Sequence, residues 1–262
     1  MRIMLLAAAS DIHCVRWANQ LSVHGHEVHV CSVANHKPSI DGFSNNVTLH
    51  DLAVPAPFGY YLNVPQLRNI ISRVQPDILN AHYASGYGTL GRLVGFRPYL
   101  LSVYGSDVYD FPYKSRFNMM LIRKNLMAAS AIASTSYAMA VQTSSLVDIP
   151  ASDIHITPFG VDTSRFYRRR VKNNSHHIVL GSIKKLTPKY GLRYGILAVD
   201  HLLRNLIDER QNLSIEYRIY GEGDEKEELA RLVKERGLED VVKFMGRIPN
   251  DSVPQALNEI DI

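Results

Sequence analysis

Apolar runs of strand length alternate with amphipathic stretches from one end of this 262-residue chain to the other. Residues 2–9 are a continuous apolar run after Arg2, the pattern of a strand covered on both faces. Ser10-Asp11 is placed to cap a helix over 12–23, which Gly25 ends. Further strands are predicted over 28–33, more weakly over 47–52, and over 77–82, 99–104, 131–135 and 154–157. Helices are predicted over 65–74, 85–94, 114–128 and 137–147, with a loop over 54–59. Such alternation predicts a parallel sheet with right-handed crossovers and helices on both faces.

From 158 to 175 the pattern breaks into Pro, Gly, Asn, Ser and five basic residues, which reads as a linker. Alternation then resumes with strands over 177–183, 213–220 and 241–245 and helices over 192–206, 226–235 and 253–258. Residues 260–262 read as the start of another strand. The expected organisation is a domain over 1–157, a basic linker over 158–175 and a second, incomplete domain over 176–262. Both are α/β: doubly wound parallel-sheet, Rossmann-like domains, facing across a cleft with ligand at the carboxyl ends of the strands.

The stretch 178–191 carries the strongest local chemistry. It opens as a buried strand, turns at Gly181 and presents Lys184, Lys185 and Lys189 around Thr187-Pro188 before a helix starts near Gly191. Clustered ammonium groups beside a helix N-terminus are a recipe for holding phosphate. No acidic residue lies between Asp162 and Asp200, whereas Arg165, Arg168, Arg169, Arg170, Lys172, Lys184, Lys185, Lys189 and Arg193 do. A solvated basic face is the alternative.

Hydrophobic content of 46% and charged content of 21% suit a soluble globular protein, and the net charge of +4 permits an anionic partner. No apolar run is long enough to span a bilayer. The short apolar start at 3–6 runs into Asp11 and His13, as a first strand would and a secretory signal would not. Cys14 and Cys31 fit small buried thiols of a reduced protein. The first strand–helix turn has no glycine, which excludes a dinucleotide fingerprint, and no P-loop motif occurs. Neither His24, His26 and His29 nor His176-His177 has the setting of a metal site, and no nucleic-acid motif is present.

Polar residues gather at the predicted strand ends. In the first domain they are Ser10, Asp11, His13, His82 and the run Tyr104-Gly105-Ser106-Asp107; in the second, Lys184 to Lys189, Gly221-Glu222-Gly223 and Gly246-Arg247. Gly221 and Gly223 would let a backbone approach a ligand closely.

These residues, in this order, resemble the GT-B glycosyltransferases, and glycosyltransferase family 4 in particular. Gly25-His26-Glu27-Val28 is similar to the family's opening. Asn80-Ala81-His82 resembles its His-x-His strand end, with Asn80 at the first position. Tyr104-Gly105-Ser106-Asp107 resembles His-Gly-x-Asp, with Tyr104 for the histidine. Residues 158–162 with Phe166 resemble the interdomain "PNGVD…F" segment, with Phe159 for Asn. Lys185 to Gly191 resembles "GRLxPxKG", with Lys185 for the arginine and Lys189 one residue early. Tyr220-Gly221-Glu222-Gly223 and residues 242–246 complete the likeness.

The resemblance implies transfer of a sugar from a nucleoside-diphosphate-sugar to a glycan or lipid-linked acceptor, with retention at the anomeric carbon. It implies no metal and no cofactor, the nucleotide-sugar being a substrate, and a cytoplasmic setting at the inner face of the membrane, in surface polysaccharide biosynthesis. His82, Lys185 and Lys189 would be catalytic, His82 touching either donor sugar or acceptor. Gly221, Glu222, Gly223, Met245, Gly246 and Arg247 would hold the diphosphate and base. Ser10, Asp11, His13, Ser106 and Asp107 would face the acceptor. Asp107 as a helix cap and His82 as a hydrogen-bonded structural residue are the alternatives. The family's Glu-x7-Glu motif is absent before Ile262. The expectation is therefore a fragment or truncated product with impaired activity, or a non-catalytic nucleotide-sugar binder. The basic helix over 114–128 is either a peripheral membrane contact or a core helix with a basic solvent face.

Overall fold

The computed structural model describes residues 1–38, 42–169, 176–208 and 213–262, which form two compact units, Met1–Gly160 and Val161–Ile262. The first unit runs β1 (Arg2–Leu6), α1 (Ile12–Val23), β2 (Glu27–Val33), β3 (Val47–Leu52), α2 (Gly59–Leu62), α3 (Val64–Val74), β4 (Ile78–His82) and α4 (Gly86–Val94). It continues with β5 (Tyr99–Val103), α5 (Ser106–Tyr109), α6 (Arg116–Ala128), β6 (Ala131–Ser134), α7 (Tyr137–Leu146) and β7 (His155–Ile156).

Its strands form one parallel sheet in the order β3-β2-β1-β4-β5-β6-β7. Side-chain alternation along β1 sends Met4 and Leu6 into one apolar cluster with Leu67, Leu90, Leu101 and Ile122. Ile3 and Leu5 enter the other with Cys14 and Ala18 of α1 and Val28 and Val30 of β2. Two-sided burial explains why β1 reads as an unbroken apolar run. The strand order reverses between β1 and β4, so the adjoining crossovers leave on opposite faces and open a crevice beyond the carboxyl ends of these strands. Asn125 of α6, fully buried, donates to Ala84 O and Thr89 Oγ1, both at 2.8 Å, and accepts from Arg92 Nε at 2.7 Å, tying α6 to α4. Cys14 and Cys31 are buried free thiols, pushed up to about 12 by burial.

The second unit runs β8 (His177–Ile183), α8 (Leu192–Asp208), β9 (Ser214–Tyr220), α9 (Lys226–Glu235), β10 (Val242–Gly246) and α10 (Val253–Asn258). The three strands are parallel in the order β10-β9-β8, over a core of Leu186, Ile196, Val199, Ile219, Leu229 and Leu232. The basic stretch expected as a linker divides: 158–160 belong to the first unit, 161–169 to the second, and 170–175 lie outside the described residues. Arg165 Nη2 meets Asp251 Oδ1 at 2.8 Å, and Asn258 Nδ2 donates to Tyr167 O at 3.0 Å, fastening 161–169 to the turn before α10 and to α10 itself.

Several expectations are corrected. Gly181 is not a turn: β8 continues to Ile183, and Gly181 makes room for the Ile260 side chain, which a Cβ there would strike. Residues 260–262 are not a strand, yet they dock on the edge of β8. Asp261 N donates to Val179 O at 2.8 Å, Gly181 N donates to Ile262 O at 2.9 Å, and Asp261 Oδ2 accepts from Val179 N at 2.8 Å. The basic helix starts at Arg116, where the Ser115 side chain accepts from Asn118 N, and Phe111–Lys114 form a 3-10 turn before it. The short helices α2 and α5 have no signal in the apolar periodicity.

Leu101 lies at the centre of the first unit's larger cluster and is fully buried. Leu101→Ala is expected to destabilise that unit by about 3 kcal/mol through lost transfer energy and a residual cavity, read as a lower urea midpoint with unchanged slope.

Candidate functional site

In the second unit, a cavity of about 570 Å³ opens at the carboxyl ends of β8 and β9. Ile183, Lys184, Lys185, Tyr220, Gly221, Glu222, Gly223, Arg247 and Ile248 line it. Three of these side chains are cations and one is an anion, so the local potential is positive, as the sequence pattern suggested. The loop after β8 is pinned to the turn after β9: Lys184 N donates to Tyr220 O and Leu186 N to Glu222 O, each at 3.0 Å. Glu225 N donates back to Leu186 O at 3.1 Å, and Gly221 N donates to Gly246 O at 2.8 Å.

This pinning is what the two glycines serve. A Cβ on Gly221 would fall on Lys184 O, and one on Gly223 on Leu186 O. The close approach read from the sequence is made by the neighbouring loop, whose path then carries Lys184 and Lys185 to the cavity. Gly221, at φ +143°, also needs a backbone conformation that side chains disfavour. Lys189 sits in the 3-10 turn Pro188–Tyr190 and does not line the cavity. Lys184, not Lys189, is the second lysine there, and its ammonium lies 5.6 Å from the Tyr190 ring centre. Met245 and Gly246 end β10 without lining the cavity; Arg247, the next residue, does line it.

In the first unit, the carboxyl ends of β1, β4 and β5 bring together the other expected residues. Asp11 caps α1, accepting from His13 N at 2.9 Å. His13 stacks on Phe159 with ring centres 3.7 Å apart, and its Nδ1 is buried without a hydrogen-bond partner. Tyr104 meets Phe159 edge-on at 4.9 Å. The Tyr104 hydroxyl lies 2.8 Å from His82 Nδ1, and Asn80 Nδ2 lies 3.5 Å from His82 Nε2. Ser102 Oγ donates to Asn80 Oδ1 at 2.9 Å.

His82 is only 3% exposed. Burial, with the nearby His13 as a lesser cause, lowers it to about 3, so it is neutral at ordinary pH. Asp107 is buried and staples the loop: its carboxylate accepts from Ala84 N, Tyr104 N and Gly105 N at 2.8, 3.1 and 2.8 Å. Burial raises its pKa, and those donors oppose the shift. Its acceptor capacity is turned inward, and it holds the β4 and β5 loops together. Ser10 and Ser106 are exposed at the strand ends. A second small cavity, of about 90 Å³, is lined by His13, Arg16, Trp17, Gln20, Pro158 and Phe159. Among the described residues, no group of three or more His, Cys, Asp or Glu is placed to hold a metal.

Sequence reading missed Tyr104 as the partner of His82, Phe159 as the plate under His13, and Ile248 in the basic cavity; Lys184 was singled out in the basic stretch but given no role of its own. The contacts in the first unit span 22 to 146 residues, out of reach of local pattern.

Comparison with known proteins adds to this geometry. A family model described as glycosyl transferase 4-like matches residues 2–136, and one described as glycosyl transferases group 1 matches residues 163–262. WcaL of Escherichia coli, named for colanic acid biosynthesis, is 33% identical over 113 residues. AmsK of Erwinia amylovora, an amylovoran biosynthesis glycosyltransferase, is 31% identical over 114 residues. Either match covers 43% of this chain and 26% of the relative, so the matched stretch spans about a quarter of those proteins. The crystal structure of HepE from Anabaena in complex with UDP has a TM-score of 0.71 at 16% identity, covering 100% of this chain and 72% of that one. That likeness is one of fold, the α/β fold of GT-B glycosyltransferases.

The folded first unit prefers neutral His82, whereas the unfolded chain protonates near the ordinary value of 6.5. The stabilisation is therefore complete above about pH 6.5 and drains away as pH falls toward 3, at up to about 1.4 kcal/mol per pH unit for one proton. His82→Gln should flatten the fall in urea midpoint between about pH 7 and pH 5 by roughly that share, His36 and His50 acting in the same direction.

Proposed function

This chain belongs to the family-4-type glycosyltransferases, and from that premise we propose that its second unit binds a nucleoside-diphosphate-sugar through Lys184, Lys185 and Arg247. The sugar passes to a glycan or lipid-linked acceptor with retention at the anomeric carbon, and no metal ion takes part. The observation that carries the reading is the basic cavity at the ends of β8 and β9. A departing nucleoside diphosphate develops negative charge on its terminal phosphate. Fixed ammonium and guanidinium groups stabilise that charge without coordination chemistry. Glu222, the anion in the lining, is placed for hydroxyl or base donors rather than phosphate. HepE, which shares the fold, was crystallised with UDP, and AmsK is named for polysaccharide biosynthesis, in keeping with a donor of this kind and a surface-glycan product.

On this reading the acceptor approaches the first unit at Ser10, Asp11, His13 and Ser106. His82, held neutral, acts through a hydrogen bond oriented by Tyr104 rather than as a base. Asp107 acts by shaping the loop that presents Ser106. Lys189 contributes long-range charge only. Among the described residues no helix is long and apolar enough to cross a membrane.

One observation favours a second reading, a binder that does not catalyse. His82 is buried, its ring packs against Tyr104, and Tyr104 in turn meets Phe159 edge-on. Nucleotide-sugar binding without turnover would select that reading.

Lys185→Ala combined with Arg247→Ala is expected to weaken UDP binding by at least about a hundredfold, since each charge-assisted phosphate contact is worth about 1.5–3 kcal/mol. Lys189→Ala should weaken it less than threefold, and a chelator should change nothing. Isothermal titration reads all three; undiminished affinity in the double variant overturns the assignment.

A further inference from the structure

His13, Arg16, Trp17 and Gln20 recur along α1 at the i, i+3, i+4, i+7 spacing of one helix face. Cys14 and Ala18, on another face of the same helix, are buried against β1 and β2. Pro158 and Phe159 share with the stripe the cavity of about 90 Å³. That is about three water volumes, room for a carboxylate or phosphate group but not for a whole sugar ring.

The polar groups of this cavity are not spent on one another. Among the described residues neither the Arg16 guanidinium nor the Gln20 amide makes a hydrogen bond or an ion pair. Asp11, close by in the chain, is committed to capping α1 through His13 N at 2.9 Å. His13 Nδ1 is buried and unbonded, in a ring that stacks on Phe159 at 3.7 Å with 15° between the planes. A polar atom buried without a partner is costly, and a solvated surface stripe has no need of one. The apolar part is held in place: Trp17 is half-buried and packs on the cluster that contains Cys14 and Ala18.

Arginine's planar fork matches two oxygens of a carboxylate or phosphate at once. Indole and phenyl rings offer rigid apolar surface to the C–H side of a sugar ring. His13 joins the cavity to the strand-end crevice, its ring standing 6.4 Å from that of Tyr104, the partner of His82. We propose that this cavity is an acceptor subsite for the oxyanion of a charged sugar. Arg16 pairs with the carboxylate or phosphate, Gln20 adds an amide donor, and Trp17 and Phe159 flank the sugar that carries the charge. The proposal rests on the acceptor reading above and names the acceptor's chemistry: a glycan with an acidic group beside the sugar that receives the transfer.

Trp17 is the single tryptophan of the chain, so its fluorescence reports on this cavity directly. The test titrates the 262-residue protein with methyl glucuronide, glucose 1-phosphate and methyl glucoside, in phosphate-free buffer at constant ionic strength. The expected result is a saturable change in Trp17 emission with one or both anionic sugars and none with the glucoside at the same concentrations. The stronger of the two anions tells a sugar carboxylate from a sugar phosphate. Arg16→Gln should weaken that binding at least about tenfold, one charge-assisted contact being lost. Arg16→Lys, which keeps the charge without the fork, should lose less. Arg16 is not buried, and both variants should keep the parent's urea midpoint. An equal response to the glucoside, no response to any probe, or an Arg16→Gln variant that responds as the parent does overturns the proposal. So does inorganic phosphate binding as tightly as the better of the two sugar anions, which marks a bare anion site. UDP binding is read separately by calorimetry: its failure with the Trp17 response intact sinks the donor site and leaves this subsite standing, and the reverse result sinks the subsite alone.

Discussion

Parallel strands buried on both faces leave polar chemistry nowhere to go but the strand ends. In the first unit β1 gives Met4 and Leu6 to one apolar layer and Ile3 and Leu5 to the other. No position along such a strand is free for a catalytic or binding group without the desolvation cost of a buried polar side chain. Ser10, Asp11, His82, Ser106 and Asp107, scattered through the sequence, therefore meet at one end of the sheet. Lys184, Lys185, Gly221 and Arg247 meet at one end of the second sheet for the same reason. Strand direction does the gathering, and the reversal of order between β1 and β4 provides the space.

That constraint also decides what was legible in advance. The α/β class and the ten strands among the described residues were readable, β1 most plainly, because two-sided burial writes an unbroken apolar run. Among these, β3 was weak, and its burial shows why: it sits at the edge of the sheet with its middle exposed. The helices α2 and α5 were silent because four residues are too few to show a period. Lys185 and Arg247, singled out from charge and position, both line the cavity at the ends of β8 and β9. The part of Gly221 and Gly223 was misread, since a glycine that admits a ligand and one that admits another loop look alike in sequence. Gly181 was misread likewise: its missing side chain is filled by Ile260, a partner nearly eighty residues away.

The second unit shows how much a parallel sheet depends on its neighbours. β8 bonds β9 on one side, and on the other it holds residues 260–262 through both backbone hydrogen bonds and the Asp261 carboxylate. An unpaired edge at β8 would leave Val179 N and Gly181 N unsatisfied close to the core. Asp261 completes the ladder with a side-chain oxygen where a regular strand would use a carbonyl. The same docking draws Asn258 against Tyr167 O, so 161–169 and the residues after α10 stabilise each other.

The departures from the family pattern at Asn80, Tyr104 and Phe159 are one local solution rather than three separate changes. Asn80 and Tyr104 approach the two ring nitrogens of the same histidine, and Phe159 packs edge-on against Tyr104. A histidine at the position of Tyr104 would have to share a proton with His82 in a buried site, where a second charge is disfavoured. Tyrosine avoids this: its hydroxyl, 2.8 Å from His82 Nδ1, is a neutral partner that can serve either tautomer, while Ser102 Oγ fixes the Asn80 amide with its Nδ2 toward Nε2. Phe159 closes the ring by shielding the pair and stacking on His13, whose own Nδ1 is left buried and unbonded. A site so built trades titratable groups for neutral hydrogen bonds and aromatic contact. It follows that His82 stays neutral at ordinary pH and meets its partners as an uncharged ring.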